Sequence, residues 1–353
     1  MPIGMSTSFS EAEIRFMRRA LTLARKGYGT VSPNPAVGAV LVREGRVLGE
    51  GFHRRAGLPH AEIEAFDDAH RKGCDPRGAT LYVTLEPCST YGRTPPCVDR
   101  ILQEKVKRVV VAMIDPNPLH QGKGLARLLS EGIEVKQGLL EEEARDLNRP
   151  FIRWITSRRP WVVQKSALSL DGRIETRPGD SRWLSGPASR RMAHRLRWEA
   201  DAILIGAETA RRDDPKLSVR LPGRKEKIQP WRVVVSRSGR IPASLGLLTD
   251  PLRERTLVFQ NFPLPLLLAE LGRRGVQRVL VEGGGKLAGS LLAEGLIDEI
   301  ALFLCPMILG EGALSVDPPH RLLGERFRLR ECKQLGDDLF VRGIRSECTE
   351  ALQ

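Results

Sequence analysis

Aromatic side chains are scarce in this chain: Phe, Trp and Tyr together make up 5% of its 353 residues. No aromatic-rich basic run is present to stack unpaired bases, which argues against nucleic acid as a partner although the net charge is +13. Charge of that sign suits nucleic acid, a phosphorylated small molecule or plain solubility, and does not choose among them. The six cysteines, Cys74, Cys88, Cys97, Cys305, Cys332 and Cys348, are too few and too scattered for a secreted disulfide framework. A reducing compartment is expected, where thiols serve as metal ligands or lie buried. Long apolar runs are missing too. The richest stretches, around 264–268 and 300–309, fall far short of the ~20 residues of a membrane span. Residues 1–10 lack the charged-then-apolar order of a signal peptide. The expectation is a cytoplasmic protein with no membrane and no nucleic-acid partner.

What remains is an ordinary globular composition, 41% hydrophobic and 28% charged. The length suits two domains of roughly 100–200 residues each. Ser10 and Glu13 have capping-box spacing, and Ile14, Met17, Leu21 and Ala24 follow at helical spacing up to Gly27. A strand pair is predicted over 37–42 and 46–48, and a helix over 61–71. A strand over 80–85, a helix over 97–104, a strand over 108–113, a helix over 125–131 and a strand over 133–136 complete the first half. This alternation indicates a three-layer α/β sandwich. The stretch 148–160 is basic, proline-punctuated and without sustained periodicity, so the boundary is placed near residue 150, giving domains 1-150 and 151-353. A second alternation follows. Strands are expected over 161–167, 202–205, 231–236, 256–259 and 278–281. Helices are expected over 186–199, 264–274 and from Lys286 to Gly295.

Chemistry-bearing residues concentrate first in His60-Ala61-Glu62, Pro87-Cys88 and Cys97. One imidazole and two thiolates supply three tetrahedral zinc ligands and leave a fourth position for water, as a catalytic site requires. Zinc lowers the pKa of such a water to about 7. Glu62 stands two residues from His60, a spacing that does not stack both side chains over one metal on a helix. It suits a non-ligand carboxylate that carries protons. This is the signature of zinc-dependent nucleobase deaminases. The alternative is a surface histidine and two buried thiols. The two cysteines enclose eight residues, Ser89 to Pro96, where the signature has two. The insert must therefore fold back on itself, with Gly92, Pro95 and Pro96 as turn formers. In the second half, Val281-Glu282-Gly283-Gly284-Gly285-Lys286 reads as strand, glycine turn and helix start. Such a turn lets phosphate approach the backbone, or is only a turn. It is not the G-x-G-x-x-G fingerprint.

At the level of whole motifs the chain resembles a known family. Pro59-His60-Ala61-Glu62, Thr84-Leu85-Glu86-Pro87-Cys88-Ser89, Gly92-Arg93-Thr94-Pro95-Pro96-Cys97 and Asp115-Pro116-Asn117-Pro118 are similar to the bifunctional deaminase/reductase of riboflavin biosynthesis, whose own cysteine spacing is the extended one. The segments 165–173 and 213–220 and the glycine turn resemble the same family's reductase half. The resemblance implies an N-terminal cytidine-deaminase-like three-layer α/β/α domain followed by a dihydrofolate-reductase-like α/β domain. It implies zinc on His60, Cys88 and Cys97, proton transfer by Glu62, and a pyrimidine contact from Asn34, which is otherwise a turn asparagine. It carries NADPH contacts onto Ala167, Trp183, Thr209, Asp213, Ser236, Gly284, Gly285, Lys286, Leu287, Ala288, Gly289 and Ser290. Substrate contacts fall on Ser181, Arg197, Leu217, Arg220 and Glu282. Arg197 and Arg220 suit a ribose phosphate, because a planar guanidinium pairs two phosphate oxygens at once; either is otherwise a solvated arginine. Asp171 is a proton carrier or a turn residue. The family often has histidine after Pro-Cys-Ser, where this chain has Thr90-Tyr91.

The implied reactions are deamination of 2,5-diamino-6-(ribosylamino)-4(3H)-pyrimidinone 5′-phosphate by zinc-activated water, then NADPH reduction of the ribosyl group of 5-amino-6-(5-phosphoribosylamino)uracil to ribityl. A small-molecule substrate, one zinc, NADPH and a homo-oligomer are the expected partners. Two rivals stand beside this reading. A nucleic-acid or nucleoside zinc deaminase shares the metal core but leaves the second half without a role. A zinc-stabilised binding module calls for four protein ligands rather than three.

Overall fold

The computed structural model describes residues 9–92, 95–175, 184–222, 228–239, 241–320 and 324–346. It divides into two compact units, Met1–Ser157 and Arg158–Gln353. No helix among the described residues is long and apolar enough to cross a membrane.

The first unit runs α1 (Glu11–Ala24), β1 (Gly38–Arg43), β2 (Arg46–Phe52), α2 (Ala61–Arg71), β3 (Thr80–Leu85), α3 (Cys97–Gln103), β4 (Arg108–Met113), α4 (Lys123–Ser130), β5 (Glu134–Gln137) and α5 (Glu141–Ser157). Its helix start is the one the spacing predicts. Ser10 Oγ accepts from the Glu13 amide, and the Ser10 amide donates to the Glu13 carboxylate, a reciprocal cap worth about 1 kcal/mol. The described strands form one sheet in the order β2-β1-β3-β4-β5. β1 is antiparallel to β2 and β3, while β3, β4 and β5 run parallel. Val109, Val110 and Val111 of β4 are all fully buried, as a central parallel strand covered on both faces requires. α1 packs on β1 and β3, and α2 packs on β2 and β1. The layers therefore leave the carboxyl ends of β3 and β4, and the loops that follow them, on one rim of the unit. That is where open α/β sheets gather their ligands.

The second unit runs β6 (Trp161–Ser169), α6 (Pro187–Glu199), β7 (Ala202–Gly206), α7 (Ala207–Asp213), β8 (Trp231–Ser236), α8 (Gly246–Thr249), β9 (Thr256–Gln260), α9 (Leu264–Arg273), β10 (Arg278–Val281), α10 (Gly285–Ala293), β11 (Glu299–Cys305), β12 (Phe327–Leu335) and β13 (Asp338–Arg345). Its described strands order as β12-β13-β11-β6-β10-β7-β8-β9. Strands β11 through β9 are mutually parallel, and β13 and β12 are antiparallel additions. Alternate residues serve different cores, as a two-residue period demands. Ala202, Leu204, Val279 and Val281 meet Leu267, Leu268 and Leu271 of α9. Ile203, Ile205 and Val234 meet Ala207 and Ala210 of α7 on the other side.

Two expectations change. The two units divide after Ser157, within several residues of the boundary expected near 150, but the stretch read as a linker is the second half of α5. Asn148 leaves helical geometry at φ −107 and ψ 15, and the helix restarts behind it. Pro150 therefore lies in a new first turn, where its missing amide costs little. Asn148 is also fixed from outside: its side chain accepts from the Ala36 amide and donates to the Ala36 carbonyl. The other change is at the C-terminal end. The hairpin β12–β13 was not anticipated, because β12 is an edge strand whose charged residues Arg328, Arg330, Glu331 and Lys333 blur any two-residue period.

Candidate active sites

His60 is the N-cap of α2, Cys88 follows β3, and Cys97 opens α3. Their ligand atoms all lie within 4.8 Å of one another. His60 Nδ1 is 3.2 Å from Cys97 Sγ and 3.5 Å from Cys88 Sγ. An ideal zinc tetrahedron with the usual bond lengths has N···S edges of about 3.5 Å, so the three groups fit that ion. The eight-residue insert does fold back. The Cys97 amide donates to Cys88 Sγ at 3.3 Å, and the Val98 amide donates to the Cys88 carbonyl at 3.2 Å. Those two bonds close the loop from its ends.

The electrostatics match a cluster built for a cation. The Cys97 thiol donates to Cys88 and draws it down to about 4 against the effect of burial, with the His60 ring and the Cys97 amide adding to the pull. Cys97 itself is pushed up by that same hydrogen bond and by burial, so it holds the proton of the pair. Zinc takes thiolates and would displace it. Glu62, in the first turn of α2, is only 3% exposed. Burial pushes its carboxyl up to about 7, which His60 opposes. A carboxyl at that value takes up and releases protons with equal ease near neutrality.

The expected pyrimidine contact, Asn34, is tied to this cluster by a residue the sequence did not flag. His53 Nδ1 lies 3.0 Å from the Pro59 carbonyl, and its Nε2 lies 2.9 Å from Asn34 Nδ2. The carbonyl accepts only, so Nδ1 carries the proton and Nε2 accepts from the amide. The His53 ring stands edge-on to His60 at 5.2 Å between centroids. Glu86 was missed as well. It is buried, and its carboxylate accepts from the amides of Asp115, Gly122 and Gly124, fastening the β4–α4 loop beside the metal-ligand loop. Neither residue has a spacing that singles it out, since both act through tertiary contacts.

In the second unit the candidate residues gather at the carboxyl edge of the parallel strands. Lys165 and Ala167 sit on one face of β6, Thr209 and Asp213 lie on α7, and Ser236 ends β8. Burial raises the Asp213 carboxyl. Thr209 Oγ1 accepts from the Gly284 amide at 3.2 Å, which joins two of the expected cofactor segments. Ser236 Oγ is buried with no hydrogen-bond partner among the described residues. An orphaned hydroxyl at the carboxyl end of a parallel strand fits a polar, phosphate-bearing nicotinamide cofactor. The stretch 284–290 does not act as a uniform cradle, however. A Cβ at Gly285 would collide with the Leu314 carbonyl, and one at Gly289 with the Asp317 carbonyl. Those glycines admit the 314–318 segment, Ala288 is fully buried, Ser290 Oγ donates to the Lys286 carbonyl, and Lys286 faces Glu208 at 3.6 Å. Leu287 packs against the helical core. Gly284, with nothing nearer than Thr209 Oγ1 at 3.6 Å, is the open position.

Glu282 is the electrostatic centre of this edge. Arg197 grips it through Nε and Nη2 at 2.6 and 2.9 Å, and Lys165 stands 3.6 Å away. Burial alone would raise its carboxyl, but Lys165 and Arg197 outweigh that and hold it at about 2. Arg197 is therefore not a free phosphate clamp, for its fork is filled by Glu282 and its Nη1 donates to the Ser218 carbonyl. Arg220 is exposed, with its amide donating to His194 Nδ1. Leu217 has its side chain in the core, so only its backbone faces outward. Asp171 is a turn residue: it accepts from Ser169 Oγ and from the Leu309 and Gly310 amides, which hold it at about 2. Ser181 and Trp183 lie outside the described residues.

Comparison with known proteins assigns each half. Residues 10–113 match the cytidine and deoxycytidylate deaminase zinc-binding region, and residues 160–341 match the RibD C-terminal domain. The protein is thus of the class that joins a zinc-dependent deaminase to a reductase on one chain. It is 42% identical to the riboflavin biosynthesis protein RibD of Aquifex aeolicus, over 94% of this chain and 98% of that one. It is 38% identical to RibD of Escherichia coli over 92% and 97%. Crystal structures agree at full length. RibD of Acinetobacter baumannii superposes with a TM-score of 0.87 at 37% identity, covering 95% of this chain and 99% of that one. The diaminohydroxyphosphoribosylaminopyrimidine deaminase/5-amino-6-(5-phosphoribosylamino)uracil reductase of Thermotoga maritima gives the same values. The chain belongs to the RibD family of riboflavin biosynthesis, with a deaminase activity that uses zinc and a reductase activity that uses a nicotinamide cofactor. A nucleic-acid deaminase is not favoured, because residues 160–341 have a place in this family and none in that one.

Proposed function

We propose that the first unit deaminates 2,5-diamino-6-(ribosylamino)-4(3H)-pyrimidinone 5′-phosphate at C2, and that the second reduces the ribosyl group of the resulting 5-amino-6-(5-phosphoribosylamino)uracil with NADPH. The observation that carries the reading is the convergence of His60, Cys88 and Cys97 beside the buried Glu62. Zinc held by those three ligands supplies a Lewis acid that makes water nucleophilic at neutral pH. Glu62 takes one proton from the attacking water and passes it to the ring nitrogen next to the attacked carbon; it then takes the proton of the hydroxyl now on that carbon and gives it to the departing amine, so that ammonia leaves and a carbonyl remains. Asn34, its amide oriented by His53, holds the pyrimidine edge.

In the second unit NADPH supplies the hydride when bound. Thr209, Ser236, Gly284 and the first turn of α10 hold it, and Asp213 borders it. Glu282 holds Lys165 in place at this edge, and Lys165 protonates the ribose ring oxygen as the sugar opens. Arg220, for which the described residues offer no carboxylate partner whereas Arg197 is filled by Glu282, takes the phosphate. Two thiolate ligands suit a reducing cytoplasm. Replacing Glu62 by Gln tests the first step. The variant is expected to retain one zinc per chain and to lose deamination by about 10²–10⁴-fold, with reduction of the uracil intermediate intact. Ammonia release at the parent rate would remove Glu62 from the mechanism.

A further inference from the structure

The rim of the deaminase site carries a side-chain pair that none of the expected contacts uses. Thr90 lies two residues beyond Cys88, and its Oγ1 is 3.2 Å from Nδ1 of His120. The two come from different loops, Thr90 from the metal-ligand loop and His120 from the β4–α4 loop that Glu86 fastens at Asp115, Gly122 and Gly124. Behind His120 stands Asp115, whose carboxyl is raised by burial and feels the imidazole. Thr90 is exposed and His120 half-buried, so the pair marks the mouth of the site and not its floor. Among the described residues His120 Nε2 has no hydrogen-bond partner.

We propose that His120 is a substrate-binding residue of the deaminase, which donates from Nε2 to the 5′-phosphate of the phosphoribosyl substrate, and that Thr90 is the positioning residue that sets its tautomer. This rests on the substrate assignment above. The reacting carbon must reach the buried cluster of His60, Cys88 and Cys97, so the ribose phosphate, attached elsewhere on the ring, points back to the mouth. The Thr90 hydroxyl both donates and accepts; when it donates to Nδ1, the ring proton stands on Nε2, the form that a phosphate oxygen accepts from. Thr90 is also the position where the chain departs from the histidine of the family pattern. An imidazole returns to this rim from a neighbouring loop.

The test uses the full-length zinc-loaded enzyme and two substrates, the diaminopyrimidinone riboside with and without its 5′-phosphate. His120→Ala is expected to raise the deamination KM for the phosphorylated substrate about tenfold, the effect of one hydrogen bond to a charged group, with a smaller change in kcat. KM for the riboside should move less than twofold. His120→Gln, whose terminal amide reaches near the Nε2 position, should recover most of the loss, and His120→Asn should not. Thr90→Val should reproduce a weaker version of the defect and Thr90→Ser should restore it. Zinc content and melting temperature of each variant check the fold. A KM within twofold of the parent in His120→Ala, or an equal loss on both substrates, overturns the proposal. A parent enzyme that releases no ammonia from the phosphorylated compound would instead overturn the substrate assignment, so the two failures are distinct.

Discussion

At the scale of single residues, charge burial is used in opposite directions in the two units. At Glu62 burial outweighs the opposing pull of His60 and lifts the carboxyl to about 7. Glu282 is as deeply placed, yet Lys165 and Arg197 hold it at about 2. The first is suited to carry a proton and the second to keep a permanent charge. That difference has a stability consequence. Glu282 has a folded-state pKa below its unfolded value of 4.5, so its contribution is fully present above that value and is lost as pH falls toward 2. The shift corresponds to roughly 3 kcal/mol, of which about 2 kcal/mol disappears between pH 5 and pH 3. Glu282→Gln lacks a titrating group there. Scanning calorimetry of the parent and variant should therefore show the gap in melting temperature of the reductase unit narrowing as the pH drops from 5 to 3. A gap that stays constant would mean that the ion pair does not hold the carboxylate as the geometry requires.

At the scale of elements, α10 separates two uses of glycine that look alike in sequence. Gly285 and Gly289 exist because the 314–318 segment lies directly on the helix, and Asp317 donates its amide to the Gly285 carbonyl. Gly284 has φ −69, a conformation any residue adopts, and a Cβ there would meet only Thr209 Oγ1 at an ordinary 3.6 Å. Gly289→Ala should therefore destabilise the reductase unit by about 1–3 kcal/mol through overpacking. Gly284→Ala should leave the melting temperature unchanged and raise the KM for NADPH, because its added methyl enters the space assigned to the cofactor. Equal destabilisation by both substitutions would contradict this division. The glycine run also shows what periodicity and composition convey. β3, β4, β8 and β10 were legible at their full extents because buried parallel strands are short, apolar and bounded by turn residues. The second half of α5 was not, because Pro150 inside a basic stretch looks like a break until Asn148 is seen bonded to Ala36. The hairpin β12–β13 was not legible either, because edge strands relax the alternation that identifies strands.

At the scale of the whole molecule, the metal ligands were legible because their chemistry is rare and their order fixed, whereas His53, Glu86, Lys165 and His120 gain their meaning only from tertiary neighbours. The expected role of Arg197 shifted for the same reason, since Glu282 already fills its fork, and of the two readings open for Asp171 the fold supports the turn residue. The two residue sets also fall wholly in different units. His60, Glu62, Cys88 and Cys97 belong to residues 1–157, and Lys165, Arg197, Ser236 and Glu282 belong to residues 158–353. Removal of zinc is therefore expected to act on one activity alone. Full-length enzyme depleted by a chelator should release no ammonia from the diaminopyrimidinone phosphate, while its oxidation of NADPH with 5-amino-6-(5-phosphoribosylamino)uracil stays within about twofold of the untreated rate. Because a metal bound to the native state stabilises only what it binds, one calorimetric transition should fall in temperature and the other should not. Restoring zinc in stoichiometric amount should return both ammonia release and the shifted transition. Loss of NADPH oxidation in step with ammonia release would show that the reductase depends on the metal site, and the assignment of the two activities to separate residue sets would fail.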